Sequence, residues 1–67
     1  MMDEQIYHKI AAAAAAYGVN PRTIQKWKET GLPRRWQMDV WLKSREMRLG
    51  LTPEIIESVS IPRRNKE

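Results

Sequence analysis

The chain contains no cysteine, which excludes disulfides and thiolate metal ligands. It contains one histidine, His8, so a metal role has no ligand set to rest on, and a surface or half-buried ring is expected there. Ser44, Ser58 and Ser60 have no histidine in a recognisable constellation with them, and no glycine-rich phosphate loop is present. Glu54 and Glu57 have helical spacing and read as ordinary surface charges of a helix. Neither catalysis, a cofactor nor a small-molecule substrate is therefore expected. No apolar run approaches the length of a membrane span, and the opening residues MMDEQIYHK are too acidic and too poor in apolar side chains for a signal peptide. The expectation is an intracellular protein with no membrane partner.

What is present is basic charge, unevenly spread. Twelve Lys and Arg face eight Asp and Glu across 67 residues, a net charge of +4. Residues 22–48 hold eight basic groups (Arg22, Lys26, Lys28, Arg34, Arg35, Lys43, Arg45, Arg48) against three acidic ones (Glu29, Asp39, Glu46), so this segment alone carries +5. A field concentrated in this way favours a polyanionic partner. A chain of this length makes one domain and is only marginally able to bury a self-sufficient core, a shortage that dimerisation relieves.

The chain is organised around Ile10 to Lys28, IAAAAAAYGVNPRTIQKWK. Its alanines favour helix and have little bulk, so a neighbouring helix can approach closely. Gly18 can take the positive φ that ends a helix tightly. Asn20 has a short side-chain oxygen able to accept from the first free amides of a new helix, and Pro21 suits the first helical position. Val19 and Ile24 have the spacing of a hydrophobic staple. If Ile24 points inward, Trp27 and Lys28 flank it, and Arg22, Gln25, Lys26 and Glu29 fall on the opposite side. That outer face carries forked, amide and ammonium donors: Arg suits guanine O6 and N7, Gln suits adenine N6 and N7, and Lys serves base or phosphate.

Ala14, Gly18, Val19, Ile24 and Trp27 occupy positions that resemble the small, turn and core positions of the helix-turn-helix of phage Cro-type repressors. Downstream, Gly31-Leu32-Pro33, Trp36 and Leu51-Thr52-Pro53-Glu54 resemble a Cro-like phage subgroup, and the similarity covers roughly residues 10 to 56. The resemblance implies an all-α, compact four- to five-helix lambda-repressor/Cro-like domain over residues 1–60. It implies a transcriptional regulator in a bacterial cytoplasm that binds a pseudo-palindromic site on double-stranded DNA as a homodimer. Arg22, Gln25 and Lys26 would then reach base edges, and Asn20, Thr23, Lys28, Arg34 and Arg35 would contact phosphates. One departure stands out: these proteins usually have a full helix before the first motif helix, and here only nine residues precede Ile10.

Elsewhere, Asp3 and Glu4 lie where negative charge suits a helix N-terminus, and Ile6, Ile10, Ala13, Ala14 and Tyr17 recur at helical spacing. One helix from about residue 3 to residue 17 is expected, unless a break near His8 makes two. Gly31 and Pro33 end the second helix and start a third over Arg34 to Leu49. On it Trp36, Val40 and Met47 share one stripe, which Met38, Trp41, Leu42 and Leu49 widen, so it needs more than one neighbour. Gly50 should end this helix, and Thr52-Pro53-Glu54 should open a short last one carrying Ile55, Ile56 and Val59. Residues 61–67 read as a flexible basic tail. The three tryptophans could stack on single-stranded bases, but Trp27, Trp36 and Trp41 lie where the pattern expects core or interface.

Two other functions fit the sequence. The run Thr23-Ile24-x-x-Trp27-x-x-x-Gly31-Leu32-Pro33 also resembles small winged-helix excisionases, architectural DNA-binding factors in which a glycine-rich β-wing follows. An antirepressor-type protein-interaction module would keep the helical shape and use its apolar third helix on a partner.

Overall fold

The computed structural model describes residues 2–61. They form four α-helices and a 3-10 turn: α1 (Glu4–Ala15), α2 (Pro21–Thr30), the turn over Arg34–Trp36, α3 (Gln37–Glu46) and α4 (Pro53–Val59). The chain is all-α, with no named strand among the described residues.

Asp3 starts α1 by accepting hydrogen bonds from the Gln5 and Ile6 amides at 2.8 and 3.3 Å. The helix passes His8 without a break and ends at Ala15, two residues short of the expected Tyr17. Gly18 then takes φ +80°. Its amide donates to the Ala15 carbonyl at 2.9 Å, and Val19 donates to Ala14 at 3.3 Å. This pair of bonds satisfies the carbonyls that a helix end leaves open. No atom lies within 4 Å of where a Cβ on Gly18 would sit, so glycine is needed there for its backbone angle and not for space.

The third helix departs from expectation at both ends. Arg34–Trp36 forms a 3-10 turn in which the Trp36 amide donates to the Pro33 carbonyl at 2.9 Å, and the α-helix begins only at Gln37. The tight turn sets the Trp36 ring against Trp27 and Tyr17, with ring centroids 6.1 Å away in each case. At the other end the helix stops at Glu46, and Arg48 rather than Gly50 makes the terminating left-handed turn, at φ 56°. Arg48 donates to Arg45 at 3.1 Å and Leu49 to Ser44 at 2.9 Å. Stopping one turn early brings Leu49 against the core and buries Leu51. That burial is what offsets a non-glycine residue in the left-handed region.

The core draws on every element: Ile10, Ala13 and Ala14 from α1, Ile24 and Trp27 from α2, Val40 and Ser44 from α3, Ile56 from α4, with Met2, Leu32 and Leu51 from the connections. The small residues Ala13, Ala14 and Ser44 are all fully buried, and α1 and α3 make the most extensive helix pair. Ser44 satisfies its hydroxyl by donating to the Trp41 carbonyl at 2.8 Å.

Leu32 ties the middle of the chain to its end. Its amide donates to Val59 at 3.0 Å and its carbonyl accepts from Ile61 at 2.9 Å, forming a single parallel bridge with Ser60 between. Gly31 permits this approach, because a Cβ there would lie 3.1 Å from the Val59 oxygen and 3.2 Å from the Ile61 nitrogen. Ile61, expected to begin the tail, is therefore fixed through its amide. The rest of that segment, residues 62–67, lies outside the described residues.

Candidate nucleic-acid interface

The local chemistry around α2 sets which of its sides is free. Asn20 accepts the Arg22 amide at 2.8 Å, leaving its side-chain NH2 to donate outward. Ile24 and Trp27 are buried at 4% and 3% exposure, and Val19 packs against the same cluster. With the inner side fixed by those two anchors, Arg22, Gln25, Lys26 and Glu29 line the opposite side at helical spacing, and all four are exposed. Thr23 is exposed beside them. Thr30 also donates from its hydroxyl back to the Lys26 carbonyl one turn earlier, at 3.0 Å.

The cations outside this stripe behave differently from one another. Lys28 is half-buried, and its ammonium sits 5.2 Å from the centre of the Tyr7 ring, so α2 is tied to α1 by a cation–π contact. Arg34 is held by Glu57 in a fork, with contacts of 2.9 and 3.5 Å. Gln37 joins the group, donating to Glu57 at 3.1 Å and to the Ser60 hydroxyl at 2.8 Å. The Arg34 Nε is buried there with no hydrogen-bond partner. Arg35, its neighbour, is exposed. Of the residues singled out from sequence, Arg22, Gln25 and Lys26 share the outer side of α2, and Asn20 at its cap and Thr23 on its flank are exposed. The fold engages Lys28 and Arg34 within the chain.

Glu57 had read as a plain surface charge, and nothing local in the sequence distinguishes it. Its partners Arg34 and Gln37 are 23 and 20 residues away, so only the packing of α4 against α3 reveals the connection.

The aromatic rings take structural positions. Trp27 is buried, Trp36 bridges it to Tyr17, and the Tyr17 hydroxyl donates to the Asp39 carbonyl at 3.1 Å. Trp41 is half-buried, with the Arg45 guanidinium 5.3 Å from its ring centre. On the same helix a 2.7 Å hydrogen bond joins Lys43 to Glu46. That bond and the attraction between the charges hold the ammonium above and the carboxyl below their ordinary values.

No family model, curated protein or solved structure matches this chain. Chemically, the α2 surface offers a fork of N–H donors, a carboxamide and an ammonium on one helix whose far side is locked. Such a set can hydrogen-bond to the edges of bases or to phosphate oxygens. Among the described residues no helix is long and apolar enough to cross a membrane.

Proposed function

We propose that the protein is a sequence-specific, double-stranded DNA-binding regulator, a Cro-like helix-turn-helix repressor of phage type, acting as a homodimer in a bacterial cytoplasm. The single observation that carries this reading is the α2 surface. Arg22, Gln25 and Lys26 stand exposed on one side, while Ile24 and Trp27 anchor the other. A helix held in this way fits the major groove, and α1, Gly18 and α2 supply the helix, turn and second helix of the motif.

Arg22, Gln25 and Lys26 contact base edges in this reading. Asn20 and Thr23, at the N-terminal end of α2, contact phosphates, where the helix dipole also favours negative charge. Arg35 contacts phosphate from the far side of the Gly31-Leu32-Pro33 step. Lys28 and Arg34 add to the positive field, and each reaches a phosphate only by leaving Tyr7 or Glu57. Two copies related by a two-fold axis require half-sites about one helical turn, roughly 34 Å, apart.

The excisionase reading calls for a β-wing after Pro33. The described residues at that point form the 3-10 turn and α3 instead, which favours the repressor. Arg22→Ala tests the assignment: it should cost about 1 to 3 kcal/mol of binding and relax preference at one base position. Equal weakening on every duplex sequence would move Arg22 from base reading to phosphate contact.

A further inference from the structure

Helix α2 carries a negative charge where folding least favours one. Glu29 is its penultimate residue, in the last turn, where open carbonyls form the negative end of the helix dipole. Every other carboxylate among the described residues has a local reason for its position. Asp3 caps α1, and Glu4, Asp39 and Glu54 lie in the first turns of α1, α3 and α4, where the dipole favours them. Glu46 is bonded to Lys43, and Glu57 to Arg34. Glu29 is exposed and takes no ion pair among the described residues, although Lys26 lies one turn before it.

The place of Glu29 around the helix is as particular as its charge. Seven residues make close to two full turns, so Glu29 stands in line with Arg22, between the lines of Gln25 and Lys26 and opposite buried Ile24 and Trp27. It therefore occupies the middle of the surface that enters the groove, not its edge. A carboxylate carried there is repelled by the phosphates on both sides, a cost offset only where it accepts a hydrogen bond from a base. The donors in the major groove are the amino groups of cytosine and adenine. Adenine sets its N7 acceptor beside the amino group, whereas cytosine presents N4 with no acceptor of its own, so cytosine suits a carboxylate better.

We infer that Glu29 is a specificity-determining residue, accepting from N4 of a cytosine about three base pairs from the base that Arg22 reads. The inference rests on the DNA reading and names a base partner for the far end of the same surface. Its spacing follows from a rise of 1.5 Å per residue, which places the two side chains about 10 Å apart along the helix, or about three duplex steps of 3.4 Å. Because it penalises every sequence lacking that cytosine, Glu29 separates the right site from random DNA more than it tightens binding.

Glu29→Gln tests this by keeping the shape and removing the charge. Sequences selected by the unmodified chain should hold a cytosine at one position in each half-site, and replacing that base pair should weaken binding on the order of tenfold. With Glu29→Gln the preference for cytosine should disappear while the preference at the Arg22 position stays. Affinity for random duplex should rise, so the ratio of selected to random binding shrinks. The helical circular dichroism and the urea midpoint should not fall. The inference is overturned if Glu29→Gln tightens selected and random duplexes by the same factor and leaves the selected sequence unchanged. That result makes Glu29 an ordinary surface charge and leaves the DNA reading standing. Failure of the unmodified chain to bind any duplex contradicts the DNA reading and removes this inference with it.

Discussion

Helices α2 and α3 have the same length, ten residues each, and each buries two side chains: Ile24 and Trp27 on one, Val40 and Ser44 on the other. Their outer sides share almost nothing. Around α2 the exposed residues are Pro21, Arg22, Thr23, Gln25, Lys26, Glu29 and Thr30, with no large apolar side chain among them. Around α3 they include Met38 and Leu42, bordered by charges of both signs. A short helix thus meets its obligation to the core with two residues, and the remainder is free to face a different kind of partner. Polar donors without apolar area suit a hydrated, charged groove, whereas apolar area edged by paired charges suits another protein surface.

The sharpest break in this comparison is at the inner side. Trp27→Ala removes the larger α2 anchor together with its contact to Trp36, and should cost about 3 to 5 kcal/mol in urea unfolding. A cost that large would dissolve the distinction between the two outer sides by unfolding both. Next comes Arg22→Ala, which should lower DNA affinity as stated above while leaving the unfolding midpoint unchanged. If stability fell in step with binding, the outer side of α2 would be part of the structure rather than a free surface. Asn20→Ala should lower stability by about 1 kcal/mol through loss of the cap, read as a shift in the urea midpoint. The smallest effect is a gain. Arg48→Gly relieves the left-handed strain at the end of α3, opposed by the added freedom of glycine in the unfolded chain. It should therefore raise stability by less than about 1 kcal/mol in the same measurement.

What was legible in the sequence was stereochemistry acting over a few residues. Asn20 and Thr52 each cap the helix that follows them, as their positions indicate, and Asp3, expected there only as favourable negative charge, caps α1; Thr52 accepts the Ile55 amide at 3.2 Å. Gly18 turns the chain, and Pro21 and Pro53 open their helices. The polar outer stripe of α2 followed from Ile24 and Trp27 alone, since only one side of that helix is apolar. The wide apolar surface of α3 announced a second neighbour without saying which side the core would take. Helical spacing puts Met47 on the stripe of Val40, yet it falls at the C-cap of the helix and is exposed. Gly50 was the obvious terminator by local preference. Arg48 takes that role because packing half-buried Leu49 on the core and burying Leu51 outweigh the preference of a single residue. The Arg34–Glu57 fork and the Leu32–Ser60 bridge join residues more than twenty apart, and no local rule reaches across that distance.

The measurement that bears most directly on the central claim is duplex DNA binding across a salt series, combined with selection of the tightest sequences from a random pool. A dimer making about three to five phosphate contacts per subunit should give a log-log slope of affinity on salt of roughly −5 to −9. The selected sequences should converge on a two-fold symmetric site. Failure to bind any duplex at low salt would contradict the account and leave the exposed side of α3, rather than that of α2, as the working surface of the molecule.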